Sequence, residues 1–208
     1  PVHGEDGGLT HFVGITRDIT IRHSTHEQMA HLAFIDALTL LPNRRLLGDR
    51  LAQALAASER SGLYGAVMYL DLDGFKPLND THGHGMGDLV LVEVAQRLRA
   101  CVRATDTVAR VGGDEFVVVV GDLAPDAEPA HALASAMADK ICKCLELLGG
   151  PLPAASPALP YRCSLSVGVA LFLGHARHQE DTLRRADAAM YSAKRAGGNG
   201  VHFDSTDS

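Results

Sequence analysis

Positive charge is in short supply in this sequence. Its 19 Lys and Arg face 25 Asp and Glu, a formal net charge of −6 over 208 residues. A general nucleic-acid binder is normally basic, so no nucleic-acid partner is expected. A nucleotide-using enzyme stays open, because metal ions can neutralise phosphates inside an acidic pocket. No apolar run reaches membrane-span length and no signal-peptide pattern stands at the start. The expected setting is therefore cytoplasmic, as part of a longer protein that could itself be membrane-attached. Internal repeats and low-complexity tracts are lacking too. The four cysteines, Cys101, Cys142, Cys144 and Cys163, include no CxxC pair and sit in apolar surroundings, as expected of buried thiols in a reducing compartment. The 11 histidines are scattered, and His82 and His84 have no partners at ligand spacing, so no histidine metal site is expected. With 46% apolar and 21% charged residues, the chain reads as a soluble globular domain and a fragment more.

What the sequence does have centres on Val108–Val120, VARVGGDEFVVVV. Two valine-rich runs flank Gly112-Gly113, and the paired glycines predict a β-hairpin with a tight turn, both positions taking φ > 0 cheaply. Asp114 and Glu115 follow at once, fixing negative charge at the mouth of an apolar sheet. Alone, this would also suit a hairpin with a decorated tip.

Residues 9–20, LTHFVGITRDIT, predict a short apolar strand ending in a polar turn at Asp18. An unpaired strand cannot satisfy its backbone groups, so it reads as cut from something larger. The segment resembles the last strand of a PAS sensor domain, which makes residues 1–21 the expected remnant of such a domain. Residues 22–38 predict a linker helix with a partial apolar stripe. Pro42 interrupts it, and Asn43 is a good N-cap for a helix running to about Arg60. A buried strand at 64–70 leads into DLDGFKPLND. A short helix over 75–81, a turn at the glycines of HGHGMGD and a helix from about Asp88 to Cys101 follow. After the hairpin come a helix over 130–148, a Pro-rich loop in GGPLPAASPALP, a strand over 161–173, a helix over 179–196 and a closing strand at 200–203. The alternation predicts an α/β (α+β) sandwich on a central, mostly antiparallel sheet. A main domain over 39–204 and a tail at 205–208 complete the expected layout.

Asp71 and Asp73 end the first strand of that domain, and alternation puts both on one face. If this strand lies beside the hairpin, Asp71 and Asp114 converge with Glu115 next to them. Packed carboxylates persist only when a cation joins them or some are protonated. Mg²⁺, which accepts one or two carboxylates plus substrate phosphates, is the natural candidate. Such a site points to phosphoryl or nucleotidyl transfer. Solvent-facing strand-end acids are the plainer alternative.

Several strings then occur in order: DALTLLPNRR, LDLDGFKPLNDTHGHGMGD, RATD and GGDEF. Over residues 36–203 the chain resembles a GGDEF-family diguanylate cyclase. The resemblance implies a five-stranded sheet flanked by helices, like the palm of nucleotidyl cyclases and polymerases. It implies Asp71, Asp114 and the main-chain carbonyl of Leu72 as ligands of Mg²⁺ (or Mn²⁺), with Glu115 as a further ligand or the general base. Asn79 and Asp88 match guanine-holding positions. Backbone amides around Gly74, Phe75 and Lys76 would meet phosphate at a helix start. Gly112 and Gly113 would let the nucleotide lie against the turn. Lys194 matches a phosphate-contacting lysine. The implied reaction joins two GTP into cyclic di-GMP across a facing homodimer, controlled by an upstream sensor.

Arg103 and Asp106 match an inhibitory product site, where an Arg can fork onto guanine O6 and N7. A helix-end Arg with an Asp cap is the alternative there. Two positions depart from the family pattern. Gly198 stands where many members carry a phosphate-contacting Arg, which predicts weaker GTP binding. Lys140 is the best match for a second arginine at the product site and cannot make the same planar fork, so looser feedback is expected. A catalytically weak module that binds GTP or cyclic di-GMP is the competing reading.

Overall fold

The computed structural model describes residues 2–3, 9–11, 33–146, 164–174 and 179–205. Two compact units emerge, residues 1–33 and 34–208. In the first, β1 (Val2–His3) pairs antiparallel with β2 (Leu9–His11). The strand expected at residues 9–20 is thus paired, not isolated. Its remaining residues, and the linker helix up to residue 32, lie outside the described residues.

The second unit is a helix–sheet–helix sandwich. Its helices are α1 (Arg44–Ser61), α2 (Phe75–His82), α3 (His84–Cys101), α4 (Ala127–Glu146) and α5 (Gln179–Arg195). Its strands are β3 (Gly65–Asp73), β4 (Thr107–Gly112), β5 (Glu115–Val120), β6 (Ser164–Phe172) and β7 (Gly200–Phe203), in the order β4-β5-β3-β6-β7. Every pairing is antiparallel except β6 with β7. The expected five-stranded, mostly antiparallel sheet is therefore present, as a mixed sheet. The Pro-rich loop, the start of the strand expected from residue 161 and Cys163 lie outside the described residues.

Central strand β3 is buried on both faces, as its near-continuous apolar run requires. Ala66, Met68, Leu70 and Leu72 pack with Val90, Val94 and Leu98 of α3 and Ile141 and Leu145 of α4. On the opposite face, Val67 and Tyr69 pack with Leu47, Leu51 and Leu55 of α1 and Met190 of α5. Burying each large apolar side chain contributes roughly 1.5–3 kcal/mol. Asn43 caps α1 as expected, its side chain accepting from the amides of Arg45 (3.0 Å) and Leu46 (3.2 Å).

Three local expectations change. The two-residue hairpin turn is Gly113-Asp114, since Gly112 is already paired with Glu115 and ends β4. Of these residues only Gly113 takes a positive φ, +47°. Of the HGHGMGD glycines only Gly83 forms a break, at φ +81°, because α3 already begins at His84. Close packing of α2 on α3 is the reason: a Cβ on Gly87 would come within 2.0 Å of Asn79 Oδ1. Nor does the linker helix reach residue 38, because residues 37–39 form a turn closed by an Ile35–Pro42 bridge. Cys101 is buried, while Cys142 and Cys144 are half-buried rather than buried, and all three thiols are free.

Candidate active site

The β3–β5 ladder ends with Asp71 directly opposite Glu115. Antiparallel register alone brings these acids together, and the turn adds Asp114, whose main-chain carbonyl accepts from the Leu72 amide at 3.4 Å. Asp71 and Asp73 share the face carrying Val67 and Tyr69, as alternation predicted.

Asp71, Glu115 and Asp73 each have a different partner. Lys194 Nζ, in the last turn of α5, lies 2.6 Å from Asp71 Oδ1. The approach is that of an ion pair off the hydrogen-bond direction, so this buried oxygen has no directed hydrogen bond. Burial pushes the Asp71 carboxyl up to about 6; Lys194 works against that shift, while Asp114 and Glu115 reinforce it. Glu115 Oε2 accepts from the Tyr69 hydroxyl at 3.0 Å. Burial and the Glu115 charge push the Tyr69 phenol up to about 12, so it remains a donor at neutral pH. Among the described residues, no three His, Cys, Asp or Glu side chains are gathered as a ready-made metal cage. The expected convergence is therefore met in part: Asp71 and Glu115 oppose each other across the ladder, and the three acids do not form a ligand set.

Asp73 is held differently. It accepts from Ser166 Oγ (2.7 Å), Ser164 Oγ (2.9 Å) and the Asn199 amide (2.8 Å). Gly198 packs on the same carboxyl at φ +74°.

Phe75 and Lys76 open α2 after Gly74, with no side chain capping that terminus. The first amides of a helix have no intrahelical acceptor, so they are available to an anion. Asn79 Oδ1 is buried without a hydrogen-bond partner, and Asp88 is exposed one residue beyond the Gly87 contact. The hairpin turn is tied from behind. Arg110 donates from Nε (3.0 Å) and Nη2 (2.8 Å) to the Gly113 carbonyl, and from Nη1 to both Asp36 oxygens (3.0 and 3.2 Å).

On the far side of the domain, Arg103 and Asp106 line two cavities of about 230 and 620 Å³. Asp106 accepts from the Arg103 amide at 2.9 Å, so the plain capping role is present, while the Arg103 residue is exposed. Lys140 lines neither cavity, because its amine donates to the Cys101 carbonyl at 2.7 Å, where α3 leaves carbonyls unpaired. Arg50 lines both cavities and Arg99 the larger one. Sequence reasoning passed over Tyr69, Arg110 and the two serines. Only Tyr69 left a signal, the period-2 alternation that places it on the face of Asp71.

The family model described as "Diguanylate cyclase, GGDEF domain" matches residues 33–200. The chain belongs to this GGDEF family. A bifunctional diguanylate cyclase/cyclic di-GMP phosphodiesterase of Pseudomonas aeruginosa, MucR, is 44% identical over 178 residues, covering 86% of this chain and 24% of MucR. The chain thus spans about a quarter of that relative. The solved GGDEF domain of TpbB from Pseudomonas aeruginosa is 37% identical with a TM-score of 0.70, over 80% of this chain and 98% of that one. The coiled coil and GGDEF domain of DgcB from Caulobacter crescentus, solved with c-di-GMP, is 28% identical with a TM-score of 0.75, over 89% and 93%.

Proposed function

We propose that this GGDEF domain condenses two GTP into cyclic di-GMP and two pyrophosphates, one GTP per protomer, in a dimer whose sites face each other. The opposition of Asp71 and Glu115 across the β3–β5 ladder, beside Asp114 in the turn, carries the reading. Mg²⁺ or Mn²⁺ fits this set: the donors are oxygens, and Asp71 Oδ1 is buried without a directed hydrogen bond. Asp71, Asp114, Glu115 and the Leu72 carbonyl would hold it. When bound, the cation polarises the α-phosphate and acidifies the 3′-hydroxyl.

The chain's own residues bind and align. The amides of Phe75 and Lys76 receive phosphate oxygens, and Lys194 turns its charge from Asp71 to the triphosphate. Gly112 and Gly113 leave the turn bare beneath the nucleotide. Asn79 Oδ1 and the Asp88 carboxylate accept from the N–H edge of guanine, which adenine lacks, so GTP is preferred to ATP. Glu115 takes the proton as each 3′-oxygen bonds to the partner's α-phosphorus and pyrophosphate departs. In-line positioning of the two nucleotides lowers most of the remaining barrier. Product returns to Arg103 and Asp106 and inhibits, and the missing second arginine makes that feedback loose.

Two observations favour a second reading, a module that binds without turnover. Gly198 removes a cation, and Lys194 already contacts Asp71. Incubation with GTP and Mg²⁺ followed by chromatography separates the two. The dinucleotide should form, at a specific rate that climbs with protein concentration. No product at high concentration, once bound product has been stripped, defeats the enzyme reading. Arg103→Ala should relieve feedback, and an unchanged inhibition curve removes the regulatory assignment.

A further inference from the structure

We propose that Tyr69 is a positioning residue for Glu115 in the cyclase reaction. The plainest account of a tyrosine at this place is core filling, since the residue is only 6% exposed and packs among the α1- and α5-side residues. Phenylalanine would fill the same space, however, and a buried phenol needs a partner. That partner is Glu115. Tyr69 stands opposite Val117 and Asp71 opposite Glu115, so Tyr69 and Glu115 are diagonal neighbours, within an aromatic side chain's reach. Asp71 and Glu115, left to themselves, are like charges directly opposed, which is destabilising. The phenol holds Glu115 at 3.0 Å, while Lys194 meets Asp71 at 2.6 Å. Arg44 and Asp187 also line the cavity of about 450 Å³ beside this phenol, yet the hydrogen bond runs to Glu115. One oxygen of Glu115 is thereby fixed, and the other is presented to the cation or the 3′-hydroxyl. Outer partners of this kind orient the ligating carboxylate, and losing one typically costs 10- to 100-fold in affinity or activity.

The test is Tyr69→Phe, which keeps the ring and deletes the donor. Turnover is followed with GTP, and Mn²⁺ affinity is read by electron paramagnetic resonance in the presence of 3′-deoxy-GTP, which cannot react. Both kcat and Mn²⁺ affinity should fall about tenfold while KM for GTP stays within about twofold, with cooperative unfolding retained. In a Glu115→Gln background, Tyr69→Phe should produce no further loss of Mn²⁺ affinity. Unchanged kcat and Mn²⁺ affinity, or an equal further loss in that background, would reduce Tyr69 to packing. This inference rests on the cyclase reading, but the two fail separately. A parent chain that makes no product sinks the reaction, whereas the Mn²⁺ series still decides whether Tyr69 acts through Glu115.

Discussion

Asp71 and Asp73 end the same strand, two residues apart and on one face, yet their surroundings are opposite. Asp73 is held by two serine hydroxyls of β6 and by the Asn199 backbone amide just ahead of β7. Asp71 is buried, meets one lysine off the hydrogen-bond direction and sits across from another acid. A carboxylate with both oxygens hydrogen-bonded must give up some of those bonds to coordinate a cation, whereas one that is buried with an oxygen lacking a hydrogen bond need not. Of two identical side chains, one is committed to holding the structure, and the other is the one we propose for the chemistry.

The sharpest way to break this contrast is Asp71→Asn. Turnover should drop on the order of 10³-fold, as for loss of a principal electrostatic group. The unfolding midpoint should hold, because burial already disfavours the charge. Marked destabilisation would make Asp71 structural as well. Asp73→Ala should do the reverse, leaving the fully buried Ser166 hydroxyl without its acceptor. Urea unfolding should register a loss of about 2–3 kcal/mol; a domain as stable as its parent would contradict the clamp. Gly198→Ala is milder. Its φ of +74° and the 3.1–3.2 Å approach of a Cβ to the Asp73 carboxyl predict a loss of about 1–2 kcal/mol.

Asp36→Asn gives the smallest effect and a pH signature. Burial works against the Asp36 charge, but the Thr39 hydroxyl and amide and Arg110 outweigh it, holding the carboxyl below its ordinary 3.8. A depressed folded-state pKa contributes stability above the ordinary value that is lost as pH falls through the lowered one. The parent should therefore exceed the variant by about 1 kcal/mol or less at neutral pH. That gap should close below pH 3.8, and thermal unfolding across the acid range would show a constant gap if the pairing carried no weight.

Much of this was legible in the residues. The Asn43 cap, the valine strand of the hairpin and the shared face of Asp71 and Asp73 follow from rules that look only a few residues along the chain. The misreadings came where packing between elements decided. Gly85 and Gly87 look like turn residues, yet α2 needs Gly87 inside a helix to approach α3. Nor could the sequence show that the amine of Lys140 meets an open helix end.

The linear order of residues determined which groups exist, which faces of each strand and helix they occupy, and the family they announce. Tertiary structure alone decided that Lys194 meets Asp71, that Tyr69 reaches Glu115 and that serines surround Asp73. Those partners arrive from distant segments, and sheet register and helix docking, rather than local periodicity, set their distances.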